Sequence, residues 1–289
     1  MALHYALAAL LVLLGTATAA GERPLIRELA RREVPLSQDY FEHPRVNLAA
    51  FDGEALHWID EPLAAEAGCT PQAVLARPRV VLQRCAASGA PTEQRLVGYD
   101  DESVPRWRCP LGGERVISAD TTGVLLSSGE LIDPNTGEPR PLVKTKPGRR
   151  LSGPAAWSAS GTVYAYDPLA VEGRHAGILR WSPGTDGPTL VIERKGSWFR
   201  SAPSVEAMKL HDSERYLLMV ERPDWRGPTW IGLAVYELRT GKQIHHQRLD
   251  EDCICQGGQI VKGKNGLIGV SYHNVTAGAY VLVTFKLVP

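Results

Sequence analysis

Between positions 245 and 255 stand His245, His246, Asp250, Glu251, Asp252, Cys253 and Cys255. Imidazole, carboxylate and thiolate groups in combination can hold a transition-metal ion. Their spacing argues against it here. On an extended strand successive side chains point to opposite faces, so His245 and His246 cannot serve one site. Cys253 and Cys255 share a face, but they have neither C-x-x-C spacing nor a matching second pair. The stretch therefore reads as a connecting loop with solvated acids, its cysteines serving as disulfide partners. No metal and no cofactor is expected.

Other chemistries fare similarly. There is no G-x-S-x-G, and Trp157-Ser158-Ala159-Ser160-Gly161 lacks the leading glycine of a nucleophile elbow. No glycine-rich phosphate loop opens a helix. Glycoside hydrolysis or elimination needs carboxylates at one place, for which Asp120, Asp167, Asp212 and Glu221 are the best-placed acids. Asp100-Asp101-Glu102 and Asp250-Glu251-Asp252 read as loop acids. No catalytic residue is assigned. The basic run Lys144–Arg150 reads as a solvated linker. Trp198, Phe199, Trp225 and Trp230 lie beside Pro- and Gly-rich loops and are the candidate anchors of a binding surface. Asn274-Val275-Thr276 fits a glycosylation sequon.

The elements that must carry these residues follow from composition and pattern. The chain has 289 residues, with Lys+Arg and Asp+Glu both 32, so its net charge is zero. That balance argues against nucleic acid or an anionic membrane as main partner. Gly 28 and Pro 21 suit a turn-rich β protein, and 44% apolar content suffices for a core. Residues 1–20 contain the apolar run Leu7–Leu14 and small residues from Gly15 to Ala20, the pattern of a signal peptide cleaved at Ala19 or Ala20. No later stretch is apolar for long enough to span a membrane. A secreted or periplasmic chain is expected, and Cys69, Cys85, Cys109, Cys253 and Cys255 are then disulfide candidates, with one left over.

Residues 21–43 form the next unit. Leu25, Ile26, Leu29, Ala30 and Val34 recur at helical spacing and predict a short N-terminal helix over Arg23–Ser37. Glu61–Arg77 reads as a second short helical insertion. From 44 to 289 the pattern is β. Val205–Leu210, Arg215–Glu221, Thr229–Leu238 and Lys242–Leu249 are four strands separated by turns, an antiparallel meander. Turns ending at Gly123, Gly161, Glu214 and Gly266 recur at intervals of 38, 53 and 52 residues, near the period of propeller blades.

GTVYAYDP…GILRWSPG (Gly161–Gly184), WIGLAVYELRTGK (Trp230–Lys242) and GELIDPNTGEP (Gly129–Pro139) resemble blades of the WD40-like and TolB-like β-propellers. In these, strand three runs into a Y-D/E-x-x-T-G-type turn. The resemblance covers about Gly113–Pro289 and implies an all-β propeller of five or six four-stranded blades. The last unit lacks a fourth strand, which Pro44–Phe51 is expected to supply. Such closure puts Cys253-Ile254-Cys255 beside the segment bearing the early cysteines. Residues two apart on an extended strand hold their Cα atoms near 7 Å and rarely pair. At least one bridge from Cys253 or Cys255 to Cys69, Cys85 or Cys109 is therefore predicted. The functional expectation is a non-catalytic secreted or periplasmic propeller binding a protein partner, with an inhibitor or immunity-type protein as its specialised form. The alternative is a carbohydrate-active hydrolase or lyase on the same scaffold.

Overall fold

A computed structural model describes residues 25–35, 48–59, 66–76, 79–86, 92–143, 150–171, 175–194, 203–223 and 229–288. In chain order, strand β1 is Leu25–Pro35, and β2 (Leu48–Asp52) and β3 (Ala55–Ile59) form a hairpin. The first blade is β4 (Cys69–Ala76), β5 (Val80–Cys85), β6 (Glu93–Tyr99) and β7 (Pro105–Pro110). The second is β8 (Val116–Asp120), β9 (Gly123–Leu126), β10 (Glu130–Ile132) and β11 (Pro139–Pro141). The third is β12 (Ala155–Trp157), β13 (Val163–Val171), β14 (His175–Trp181) and β15 (Thr189–Arg194). The fourth is β16 (Ser204–Leu210), β17 (Tyr216–Arg222), β18 (Thr229–Glu237) and β19 (Lys242–Cys253). The fifth combines β20 (Cys255–Lys262), β21 (Leu267–Asn274) and β22 (Ala279–Val288) with β1.

Each blade is an antiparallel meander, and the innermost strands touch in succession: β4 with β8, β8 with β12, β12 with β16, β16 with β20, and β20 with β2. This is a β-propeller of five four-stranded blades, with the β2–β3 hairpin as a two-stranded wedge against the fifth. The middle strands explain the packing. All of Tyr216–Glu221 is buried, because the two faces of β17 serve different neighbours. Leu217 and Met219 enter the core shared with the third blade, beside Ile178 and Tyr166. Leu218 and Val220 enter the core shared with the fifth, beside Val270 and Phe285. Alternation along one strand thus feeds two cores, and the strand reads as a continuous apolar run rather than a half-polar one.

The Thr-Gly turns have a packing reason as well as a conformational one. Gly137 and Gly241 have φ of 75° and 67°, where a side chain is strained. A Cβ on Gly137 would strike the Trp107 ring of the preceding blade at 2.6 Å, and one on Gly241 would strike the Val191 carbonyl oxygen at 2.6 Å. Trp107 also donates its indole N–H to the Pro134 carbonyl at 3.1 Å, latching first blade to second.

Three expectations are corrected. Arg23–Ser37 does not supply a helix: Leu25–Pro35 is the outermost strand of the fifth blade, paired antiparallel with β22 from Leu25↔Val288 to Pro35↔Ala279. Helix propensity differs by only a few tenths of a kcal/mol per residue, and pairing with the open edge of β22 outweighs it. Hence Pro44–Phe51 is not the closing strand. Its described part, from Leu48, belongs to the hairpin, whose Trp58 stacks on Tyr280 at 3.8 Å. Cys69–Ala76, expected within a helical insertion, is strand β4, held by β5 in register from Cys69↔Cys85. Among the described residues there is no helix. The signal-peptide region 1–20 and most of 21–43 lie outside the described residues.

Candidate functional site

A cavity of about 530 Å³ lies among the innermost strands β8, β16 and β20 and the β2–β3 hairpin. Ala49 and Ala50 of the hairpin, Val116 and Ile117 of β8, Ala207 and Met208 of β16, and Ile260 and Val261 of β20 give it mostly apolar walls.

Polar groups gather where β8 and β16 turn into their blades. Asp120 ends β8. Its Oδ1 accepts hydrogen bonds from the Thr122 backbone N–H at 2.8 Å and the Thr122 hydroxyl at 2.6 Å. Its Oδ2 lies 3.1 Å from Lys209 Nζ, which also donates to the Ala119 carbonyl at 3.0 Å. Burial pushes the Lys209 ammonium below its usual range, and Asp120 opposes that shift. The Trp157 ring lies 5.4 Å from Lys209 Nζ, and its N–H donates to Thr122 Oγ1 at 2.9 Å. Lys262 Nζ donates to Asp212 Oδ1 at 2.8 Å, joining fourth and fifth blades. These contacts join the second blade to the third and the fourth, and the fourth to the fifth, beside the mostly apolar cavity.

The four acids considered for hydrolysis or elimination do not converge. Asp120 lies on the channel with Lys209, and Asp212 lies on the exposed rim with Lys262. Asp167 lies within β13, where it accepts from the Leu169 N–H at 2.9 Å. Glu221 is buried between the third and fourth blades, 2.7 Å from Arg194 Nη1. Arg194 Nη2 donates to the Pro203 carbonyl at 2.9 Å, pinning the approach to the fourth blade. Burial raises the Glu221 carboxyl, with Arg194 opposing, and burial pushes the Tyr236 phenol up to about 12. His246 Nε2 stands 4.0 Å from Glu221 Oε2. A buried carboxylate with a raised pKa is a common mark of catalysis. Glu221 does not line the channel cavity, and with Arg194 it forms an inter-blade clasp. The sequence signal for it was slight: a single Glu at the end of an apolar strand.

Of the aromatic anchors, Trp198, Phe199 and Trp225 lie outside the described residues. Trp230 is half-buried on β18, edge-on to His246 at 5.4 Å and beneath the Arg248 guanidinium at 5.4 Å. The structure therefore fixes Trp230 against its own blade. Most of the basic run Lys144–Arg150 also lies outside the described residues. Arg150 itself pairs with Glu114 at 3.3 Å.

The disulfide expectation is overturned. Cys69 bridges Cys85, its cross-strand partner, and Cys253 bridges Cys255, while Cys109 is a free thiol. The Cys253–Cys255 stretch is not extended. Asp252 has φ of 54°, and the chain bends from the outermost strand of one blade to the innermost of the next, bringing the two Cα atoms to 5.4 Å. The sequon is structural too. Asn274 is buried, donating through Nδ2 to Asp250 Oδ2 at 2.6 Å and accepting from Ala277 N–H at 3.0 Å.

No protein-family model matches the chain, and no curated protein matches it. Solved structures similar in fold include TolB from Acinetobacter baumannii, at 11% identity and a TM-score of 0.35, over 76% of this chain and 56% of that one. Prolyl oligopeptidase B from Galerina marginata in its apo form has 10% identity and a TM-score of 0.38, over 76% of this chain and 38% of that one. A glucose dehydrogenase has 11% identity and a TM-score of 0.31, over 90% and 98%. The chain thus spans about half the length of the TolB structure and less of the oligopeptidase.

Proposed function

We propose that the protein is a non-catalytic binding propeller of an oxidising, exported compartment, and that it takes a segment of a protein partner at the mouth of its channel. The channel cavity carries this reading. Its walls are apolar, and the polar groups around its mouth are already engaged with one another. Apolar walls with a few placed polar groups suit recognition, whereas acid–base chemistry needs a proton donor or acceptor left available to a substrate. Two bridges, Cys69–Cys85 and Cys253–Cys255, support an oxidising compartment. An inhibitor or immunity-type protein is the specific form of the reading that a neighbouring gene for a hostile effector would favour.

The test is capture of a partner from an exported-protein fraction by wild type and by Ala50→Trp and Ala207→Trp, which fill the channel. Arg140→Ala, on the outermost strand of the second blade, is the control. Capture retained by the control and lost by both channel variants supports the reading. Capture indifferent to channel filling overturns it, as does reproducible turnover of any substrate abolished by one point change.

A further inference from the structure

The bend between the fourth and fifth blades brings three soft and hard ligands together. One carboxylate oxygen of Asp250 and the sulfurs of Cys253 and Cys255 all lie within 4.8 Å of one another. We propose that this bend is a redox-gated site for a zinc-class divalent ion, closed as the cystine and opened by reduction, with Cys253, Cys255 and Asp250 as its protein ligands.

The chemistry balances simply. A dithiol reductant gives two electrons and two protons to the Cys253–Cys255 cystine and becomes a disulfide itself. Two thiols result on the protein. Metal binding then displaces their two protons, and Asp250 joins as the third ligand, leaving a fourth position for water. Ligand atoms around a tetrahedral zinc stand about 3.4–3.8 Å apart, given bond lengths of about 2.0–2.3 Å. The carboxylate needs to move inward by only about 1 Å from its present limit.

The bend does not depend on the cystine for its shape. Ile254 N–H donates to Thr276 Oγ1 at 3.0 Å, and the Ile254 carbonyl accepts from Val275 N–H at 2.9 Å. Cys253 pairs with Thr229 in the fourth blade, and Cys255 pairs with Asn274 in the fifth. Reduction therefore leaves both Cα atoms, 5.4 Å apart, where the two sheets hold them, and the sulfurs separate by side-chain rotation to the spacing a metal needs. Asp250 is oriented by the Glu251 N–H at 3.0 Å and by Asn274 Nδ2 at 2.6 Å. These are the outer contacts that align a metal-binding carboxylate, and they leave it further lone pairs. Two thiolates and a carboxylate around a divalent ion carry one net negative charge. Arg31 lies within electrostatic reach of Asp250 and donates to the Leu249 carbonyl, so a compensating cation is in place. Both cysteines are buried in the apolar core between the blades, which favours metal-bound over free thiolates. Half-buried Asp250 and the exposed Ile254 mark the side from which an ion enters.

The experiment uses the full chain reduced with a phosphine, and cobalt(II) as the spectroscopic probe. A background of Cys69→Ser, Cys85→Ser and Cys109→Ser removes the other thiols. One equivalent of cobalt is expected to give a sulfur-to-metal charge-transfer band in the reduced protein and none in the oxidised protein. Cys253→Ser or Cys255→Ser is expected to weaken that band sharply. Asp250→Asn should keep a two-sulfur band while lowering affinity about 10–100-fold. Where the triple background does not fold, zinc stoichiometry is measured in the reduced wild-type chain by competition with a chromophoric chelator, against Cys253→Ser in the same chain. A reduced protein with no charge-transfer band, or one unchanged by Cys253→Ser and Cys255→Ser, overturns the proposal. So does a zinc stoichiometry indifferent to Cys253.

Discussion

At the scale of single residues, the most consequential contact is Arg194 with Glu221, whose side chains are 4% and 3% exposed. Such a pair adds little net stability, yet losing one member leaves a bare buried charge. Arg194→Met should cost about 3–5 kcal/mol, read as a lowered urea midpoint at unchanged slope. Adding Glu221→Leu should recover most of the loss. Failure of the second substitution to rescue would mean that the Arg194 contact with Pro203, rather than the charge pair, holds the blades. The buried imidazoles make a second prediction. His211 and His273 are buried, and burial holds both below the usual 6.5. Asp212 raises and Lys262 lowers the His211 value, as smaller effects. Between the folded-state values and 6.5 the unfolded chain binds more protons, so stability is full above 6.5 and falls as pH drops below it. The slope is at most about 1.4 kcal/mol per pH unit for each group. Urea unfolding across that window should show the decline, and His273→Phe should lessen it while His211 keeps its share.

At the scale of elements, β1 deserves a separate test because its sequence and its conformation disagree. Every residue whose burial is described in it is half-buried or exposed, Leu29 at 48%, and Arg31 and Glu28 pair along its surface at 3.0 Å. It stays because β22 offers a full row of partners and because Gln247 of the neighbouring blade donates to Glu28 at 2.6 Å. Deleting 25–35 would expose the β22 edge, whose residues Ala279–Phe285 are all buried. An apolar open edge pairs with other chains. The truncated protein should therefore self-associate with rising concentration in size-exclusion chromatography with light scattering. A truncated protein that stays monomeric and fully stable would show that β1 is dispensable for closure.

At the scale of the molecule, neither disulfide joins the first blade to the last. Cys69–Cys85 lies within the first blade, with a sequence separation of 16, and Cys253–Cys255 spans only one intervening residue. On the loop-entropy account the longer loop contributes about 3 kcal/mol and the shorter one less than about 2 kcal/mol. Cys69→Ser with Cys85→Ser should therefore lower the urea midpoint more than Cys253→Ser with Cys255→Ser. Non-reducing peptide mapping should return these two pairs and a free Cys109. A reversed order of destabilisation would mean that the bend between the last two blades matters more to the ring than its loop length implies.

What was legible in the sequence was local. Strands in 205–249 were readable within a few residues, because each turn carries residues suited to its backbone and each strand an apolar run of strand length. The blade repeat followed, since turns of similar composition recur where each meander folds back. Long-range partnership was not legible. Leu25–Pro35 has helical spacing, and only the open edge of β22, more than 240 residues away, makes it a strand. Cys253 and Cys255 looked too far apart to pair, and only the bend forced by the passage between blades brought them together. Glu221 read as one acid among several, and Arg194, on another blade, makes it half of a clasp. Period and turn chemistry act over a few residues and are written into the chain. Edge closure, bends between sheets and buried charge pairs depend on which surfaces meet, and that is decided only when the ring assembles.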